Sequence, residues 1–187
     1  MTNQDDSFYI NKVKQGDLQA YTYLVDKYKN MAFSIALKLS RNTEDAEDAV
    51  QESFIKAYHK IDTFAYNSKF STWLYSIVYR TTAYNLRKNT ISTQEITDTT
   101  FHNLEDDENT DLSDAEQKRF ITEAIDKLPE IESIIITLFY LNDNTIAEIE
   151  SITGLSKSNI KVKLFRARKA LKIELKHILK DEIKSIL

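Results

Sequence analysis

The chain has 187 residues, 42% of them apolar, with two glycines, one proline and no cysteine. So few helix breakers beside plentiful Leu, Ile, Lys, Glu and Ala argue for an all-α protein of one medium or two small domains. The missing cysteines exclude disulfides and thiolate metal sites. A formal charge of −4 does not by itself point to nucleic acid, but it averages an acidic middle and a basic end.

The start, MTNQDDSFYI, carries acids where a signal peptide needs positive charge and an apolar core. No apolar run approaches the roughly 18 residues of a membrane span. A cytoplasmic protein without membrane insertion is expected.

Residues 8–15 read as a short helix stopped by Gly16. Asp17 is a good N-cap for a long helix with Tyr21, Leu24, Val25, Tyr28, Ala32, Ile35 and Leu39 on its apolar side. The pattern breaks near Arg41-Asn42, and Thr43 can cap the next helix. Its acids Glu44, Asp45, Glu47 and Asp48 sit where the helix dipole favours them, and Ala46, Ala49, Val50, Phe54, Ala57 and Ile61 form its inner face. Residues 62–71 lack periodicity and read as an aromatic-rich loop with one lysine. Ser71 or Thr72 can cap a further helix, with Trp73, Leu74, Ile77, Val78, Thr81 and Tyr84 inward and Tyr75, Tyr79, Arg80, Arg87 and Lys88 on other faces. These helices suffice for a small bundle over 1–90.

Residues 91–113 change character, with seven acids (Glu95, Asp98, Glu105, Asp106, Asp107, Glu108, Asp111) and no Lys or Arg. Such a stretch reads as a flexible, self-repelling linker between domains. A second domain over 114–187 follows. Asp114–Lys127 reads as a helix with Phe120, Ile121, Ala124, Ile125 and Leu128 inward. Pro129 suits the first turn of the next, whose inner face is Ile131, Ile134, Ile135, Leu138 and Phe139. Asn144 or Thr145 can cap a short helix, IAEIESI, and Gly154 is free to take positive φ in the turn after it.

The stretch from Gly154 to Lys180 divides into two stripes at helical spacing. Ile160, Leu164, Ala167, Leu171, Leu175 and Ile178 make a dry face. Lys157, Lys161, Arg168, Lys172, Lys176 and Lys180 line another, with Lys163, Arg166 and Lys169 beside them and Glu174 the only acid. A helix docked on protein by one face and basic on the other points to a polyanion, and nucleic acid is the commonest. A short helix, a turn with Gly and a longer basic helix have the spacing of a helix-turn-helix.

Five segments, in order around the acidic linker, resemble the bacterial sigma-70-type sigma factors of the extracytoplasmic-function (ECF) group. They are GDLQAYTYLVDKYKN, NTEDAEDAVQESFIKAYHKI and FSTWLYSIVYRTTAYNLRKN before it, and AIDKLPEIESIIITLFYLND and GLSKSNIKVKLFRARKAL after it. The resemblance implies a transcription initiation factor. Its first domain (region 2) would hold core RNA polymerase and melt the −10 element, and its second (region 4) would read the −35 duplex.

By the resemblance, helix 48–58 meets the coiled coil of the polymerase clamp through Gln51 and Glu52, bordered by Asp48 and Phe54, although Phe54 also fits the apolar stripe. The melting segment offers Phe64, Tyr66, Asn67, Lys69, Phe70 and Ser71 to an extruded base, with Trp73 partly core. Opening a duplex needs such stacking surfaces and cations along the phosphates. Tyr79, Arg80, Asn85, Arg87 and Lys88 would follow the −10 backbone. In the basic helix, Ser156, Lys157, Ser158, Asn159, Lys161 and Lys163 would face the major groove, and Arg166, Arg168 and Lys169 the phosphates. The acidic linker would thread the polymerase's positive channels as a nucleic-acid mimic. An anti-sigma factor is an expected partner, beside core polymerase and promoter DNA.

Two positions depart from the family pattern. Glu150 stands where such helix-turn-helices place Ala, four residues before the turn Gly, and a carboxylate facing the packed helix is costly unless paired or tilted outward. The acidic residue often found near Tyr84-Asn85 is missing. No catalytic set is expected: His59, His102 and His177 are far apart in the chain, and there is no glycine-rich phosphate loop and no HExxH. No cofactor and no metal site are implied, since no helical His joins the acids of 44–48. The stronger rival is a helix-turn-helix regulator that does not recruit polymerase, but it has no use for QESFIKAY or FSTWLYSIVYR. A pure protein-interaction bundle has none for a one-sided basic helix.

Overall fold

The structure is a computed structural model that describes residues 3–92 and 112–186, with side chains over 6–88 and 117–178. Among the described residues there are eight α-helices and no strand. They are α1 (Asn3–Lys14), α2 (Leu18–Ser40), α3 (Thr43–Lys60), α4 (Phe70–Ser92), α5 (Leu112–Asp126), α6 (Glu130–Tyr140), α7 (Ile146–Thr153) and α8 (Lys157–Ile186), with a 3-10 turn at Ile61–Thr63. The predicted all-α class therefore holds. The chain forms two compact units, Met1–Thr99 with Ala147–Leu155, and Thr100–Ile146 with Ser156–Leu187.

In the first unit α2, α3 and α4 pack on one another and α1 lies on α2. The cap at Asp17 is as predicted: its Oδ1 accepts from the backbone N–H of Gln19 and of Ala20. α2 ends at Arg41 in a left-handed conformation, φ 53°, which stops the helix as a C-terminal glycine usually does. The next N-cap is Asn42, one residue before the predicted Thr43, and its Oδ1 accepts from Asp45 N–H.

α1 starts about a turn before the predicted residue 8. A tertiary contact holds that turn: buried Asp6 accepts from Lys27 Nζ at 2.6 Å and from the Tyr28 hydroxyl at 2.5 Å, both on α2. Burial pushes the Tyr28 phenol far above its ordinary value, helped by its bond to Asp6. The core is Leu24, Ala32, Ile35, Ala46, Ala49, Ala57, Leu74 and Val78, all but inaccessible. Alanines on α3 let it approach its neighbours closely, and the buried ring of Tyr75 fills space beside Tyr28.

Two sequence expectations on α4 are reversed. Tyr75, expected on an outer face, is 1% exposed, whereas Tyr84, expected inward, is 64% exposed. The apolar arc along α4 drifts: Leu74, Tyr75 and Val78 face the bundle, then Thr81 and Thr82, so that Tyr84 passes to the solvent side.

In the second unit α6 is the central element. All six residues from Ser133 to Leu138 are buried, Ile136 among them, so it is covered on more sides than the single predicted stripe. α5 and α8 pack against it, with Ala124, Ile125, Leu128, Ile160, Leu164, Ala167 and Ile178 buried. Ile121, predicted inward, is 39% exposed. Pro129 stands one residue before α6, at its N-cap position, where its missing N–H costs nothing.

Candidate nucleic-acid interface

α3 presents an outward stripe at intervals of three and four residues: Glu44, Glu47, Asp48, Gln51, Ile55 and His59 are all exposed. Phe54 is 8% exposed and lies in the core, so it does not border a free surface. Glu52 is half-buried and fully engaged. Its Oε1 is 2.8 Å from Lys56 Nζ, and its Oε2 accepts from Asn85 Nδ2 at 2.8 Å. Those two hydrogen bonds, that to Lys56 the larger, hold the carboxyl below the usual range. Glu52 thus joins α3 to α4, and Asn85, proposed for the DNA backbone, is its partner. Ile55, 58% exposed, is a surface residue that the sequence reading passed over.

The loop between the 3-10 turn and α4 has an anchor and a tip. Phe64 and Phe70, expected to line a base pocket, are 4% and 2% exposed. They pack edge-to-face on each other and at a tilt on Trp73, with ring centroids 5.4–5.6 Å apart. These rings fix the loop to the bundle and are not open to an incoming base. The surface between them carries Tyr66, Asn67, Ser68 and Lys69, all exposed. Tyr66 has φ 59°, a left-handed conformation rare for a ring-bearing residue. Ser71 lies half-buried in the first turn of α4. Lys69 Nζ is 3.1 Å from Glu148 Oε1, and Thr72 Oγ1 lies 3.4 Å from the same oxygen. Glu148 is on α7, in the same unit.

Further along α4, Arg80, Tyr84, Arg87 and Lys88 are all exposed. Tyr79 is half-buried, and desolvation raises its phenol despite the nearby Arg87. An exposed Tyr between arginines offers both a stacking plane and phosphate cations. Tyr84 shares the exposed face of these cations, and the signal that could have found it is its i, i+3 and i+4 spacing from Arg87, Lys88 and Arg80.

Gly154 takes φ 74° after α7, and its N–H donates to Glu150 O at 2.8 Å. Ile149 and Ile152 are the fully buried residues of α7, and Glu150 is half-buried, off that face. At the start of α8, Asn159 N–H lies 3.4 Å from Ser156 Oγ.

Lys157, Ser158, Asn159, Lys161, Arg166 and Lys169 are exposed on α8, as is Ser156 just before it. Two predicted DNA-facing cations also meet α6, Lys163 half-buried and Arg168 still exposed. Lys163, half-buried, donates to Glu132 Oε1 of α6 at 3.1 Å, which makes it a brace between helices. Arg168 Nε donates to the Tyr140 hydroxyl at 2.7 Å, and its guanidinium lies over the Phe139 and Tyr140 rings. Val162 and Phe165, 49% and 69% exposed, stand on the basic face, where the two-stripe reading saw only charge.

Among the described residues no helix is long and apolar enough to cross a membrane, and no cluster of His, Asp and Glu could hold a metal.

A helical unit with a basic-aromatic face and a second unit with an exposed basic helix define a class of two-part nucleic-acid-binding proteins. The sequence matches two families, described as Sigma-70 region 2 over residues 24–91 and Sigma-70, region 4 over 120–171. It is 32% identical over 185 residues to the ECF RNA polymerase sigma factor SigW of Bacillus subtilis, covering 90% of this chain and 96% of that one. It is 33% identical over 183 residues to the ECF RNA polymerase sigma-E factor of Haemophilus influenzae, covering 89% and 93%. Among solved structures, the fold is similar to the sigma factor RpoE from Bartonella quintana, crystallised with the anti-sigma factor NepR. That likeness has a TM-score of 0.66 at 23% identity and covers 83% of this chain and 96% of the other. CnrH, solved with the cytosolic domain of CnrY, gives a TM-score of 0.62 at 20% identity, covering 92% and 98%. The chain belongs to the sigma-70 family of RNA polymerase sigma factors, in its ECF group. It is an initiation factor, not a regulator acting apart from polymerase.

Proposed function

We propose that this sigma factor engages core RNA polymerase through the outward face of α3, captures the −10 strand with the loop tip and α4, and reads the −35 duplex with α8. The observation that carries the reading is that Tyr66 and Asn67 on the loop and Arg80, Tyr84, Arg87 and Lys88 on α4 are all exposed in the same unit. They combine stacking planes with cations, as single-stranded nucleic acid requires. Asp48 and Gln51, with Ile55 between charged neighbours, form the polymerase-facing patch; Glu52 supports it from beneath. Phe64, Phe70 and Trp73 hold the loop rather than stack on a base. On α8, Ser158, Asn159 and Lys161 face base edges, Arg166 and Lys169 face phosphate, and Val162 and Phe165 are placed for contact with thymine methyl groups.

The protein is not itself an enzyme in this reading, because polymerisation belongs to the core. It acts in the cytoplasm, where the polymerase is, under an anti-sigma partner of the kind that NepR is for its sigma factor. The deciding experiment is run-off transcription with core polymerase and a promoter library. Promoter-specific transcripts are expected. Silence across the library would overturn the assignment.

A further inference from the structure

The region 2 match begins at residue 24, so α1 precedes it and packs on α2. Ile10 and Val13 are buried and serve that packing. Asp6 and Tyr9 also meet α2, at Lys27, Tyr28 and Tyr23, whereas Asn11 and Lys14 reach the loop. Lys14 Nζ donates to Phe64 O at 2.8 Å and lies 4.9 Å from the centre of the Tyr66 ring. The Tyr66 hydroxyl donates to Asn11 Oδ1 at 2.7 Å. Three contacts from one helix thus converge on two loop residues. Between α1 and the loop lies an open pocket of about 130 Å³, with Ser7 and Ile10 on one side and Tyr66 and Ser68 on the other.

Tyr66 is the strained residue of the loop, with φ 59°, and such a conformation persists only when its surroundings over-determine it. Asn11 and Tyr66 are both exposed, and a bond between exposed side chains adds little to the stability of a fold. It does fix the direction of a surface ring, which lowers the ordering cost when that ring meets a ligand.

We propose that α1 is part of the −10 grip. Asn11 and Lys14 are positioning residues that hold Tyr66 in its left-handed conformation, and α1 is the fixed wall of the pocket against which the single strand is captured. The inference rests on the −10 reading of the loop given above, and its test separates the two.

Holoenzyme is assembled from core polymerase and the full chain carrying Asn11→Ala, Lys14→Met or Tyr66→Ala. The probe is the fluorescent non-template −10 strand of a promoter selected in the run-off assay. Each α1 variant is expected to bind that strand about three- to tenfold more weakly, the effect of one lost hydrogen bond. Binding of −35 duplex and Tm stay at the wild-type level. Asn11→Ala added to Tyr66→Ala gives no further loss, because Asn11 acts through the tyrosine. Normal strand binding by both α1 variants while Tyr66→Ala is impaired would overturn the role of α1 and leave the loop reading standing. Full additivity, or a loss matched by lower Tm and weaker −35 binding, would reduce α1 to a structural support and overturn the inference. If Tyr66→Ala binds normally too, the −10 reading of the tip falls and takes the inference with it.

Discussion

Single side chains divide here between those that hold surfaces and those that form them. Glu52 belongs to the first kind, through Lys56 and Asn85. Because its folded carboxyl is lowered, its contribution is present above the ordinary Glu value of about 4.3 and is lost as pH falls through the folded value. Glu52→Gln should therefore lower Tm at pH 7 by about 1–3 °C, as a solvent-screened pair allows. The difference should vanish in acid, and thermal melts at pH 7 and pH 3 measure it. An undiminished gap at pH 3 would mean that the charge is not what matters. Asp6 is the buried counterpart. Asp6→Ala leaves the buried Tyr28 hydroxyl without its acceptor, which costs about 1–3 kcal/mol, while the part-exposed Lys27 ammonium turns to solvent. A chemical melt should show a loss of that size, with no gain in core affinity.

The elements carry the binding surfaces, and α8 is where the assignments can be separated. Lys161 is exposed, whereas Lys163 braces α8 against Glu132 of α6. Lys161→Ala should weaken −35 duplex binding and, if it meets phosphate, reduce the salt slope by about one unit. Lys163→Ala should lower Tm while leaving that slope nearly unchanged. Equal slopes lost in titrations of both variants would put Lys163 back among the DNA contacts. On α3, Gln51→Ala should weaken core binding without changing Tm, since the side chain is exposed. Unchanged capture of core enzyme would remove Gln51 from the patch.

At the scale of the molecule, promoter recognition needs one factor with two DNA-facing surfaces, and the two proposed here lie in separate units. The acidic segment 91–113 joins the two proposed domains, and its acids lie outside the described residues. Its proposed role as a nucleic-acid mimic predicts that replacing those acids with Ser impairs initiation or raises abortive products in run-off assays. Normal transcription would return it to a tether.

Composition and 3.6-residue periodicity were enough to indicate the helices, the cap at Asp17, the turn at Gly154 and the buried stripe of α8, because each depends on local pattern. The family was legible for the same reason, since its segments are contiguous in sequence. What a residue does when two roles share one spacing was decided only by tertiary packing. Phe64, Phe70 and Phe54 could have been surface aromatics and are core, because neighbouring helices close over them. Tyr84 and Tyr75 exchanged places because the buried arc of α4 follows the helices packed on it, not an ideal stripe. Lys163 carries the same charge as Lys161, yet an acceptor on α6 claims it. A one-dimensional pattern states which side chains share a helix face. Only the packed chain states which of those faces remains free.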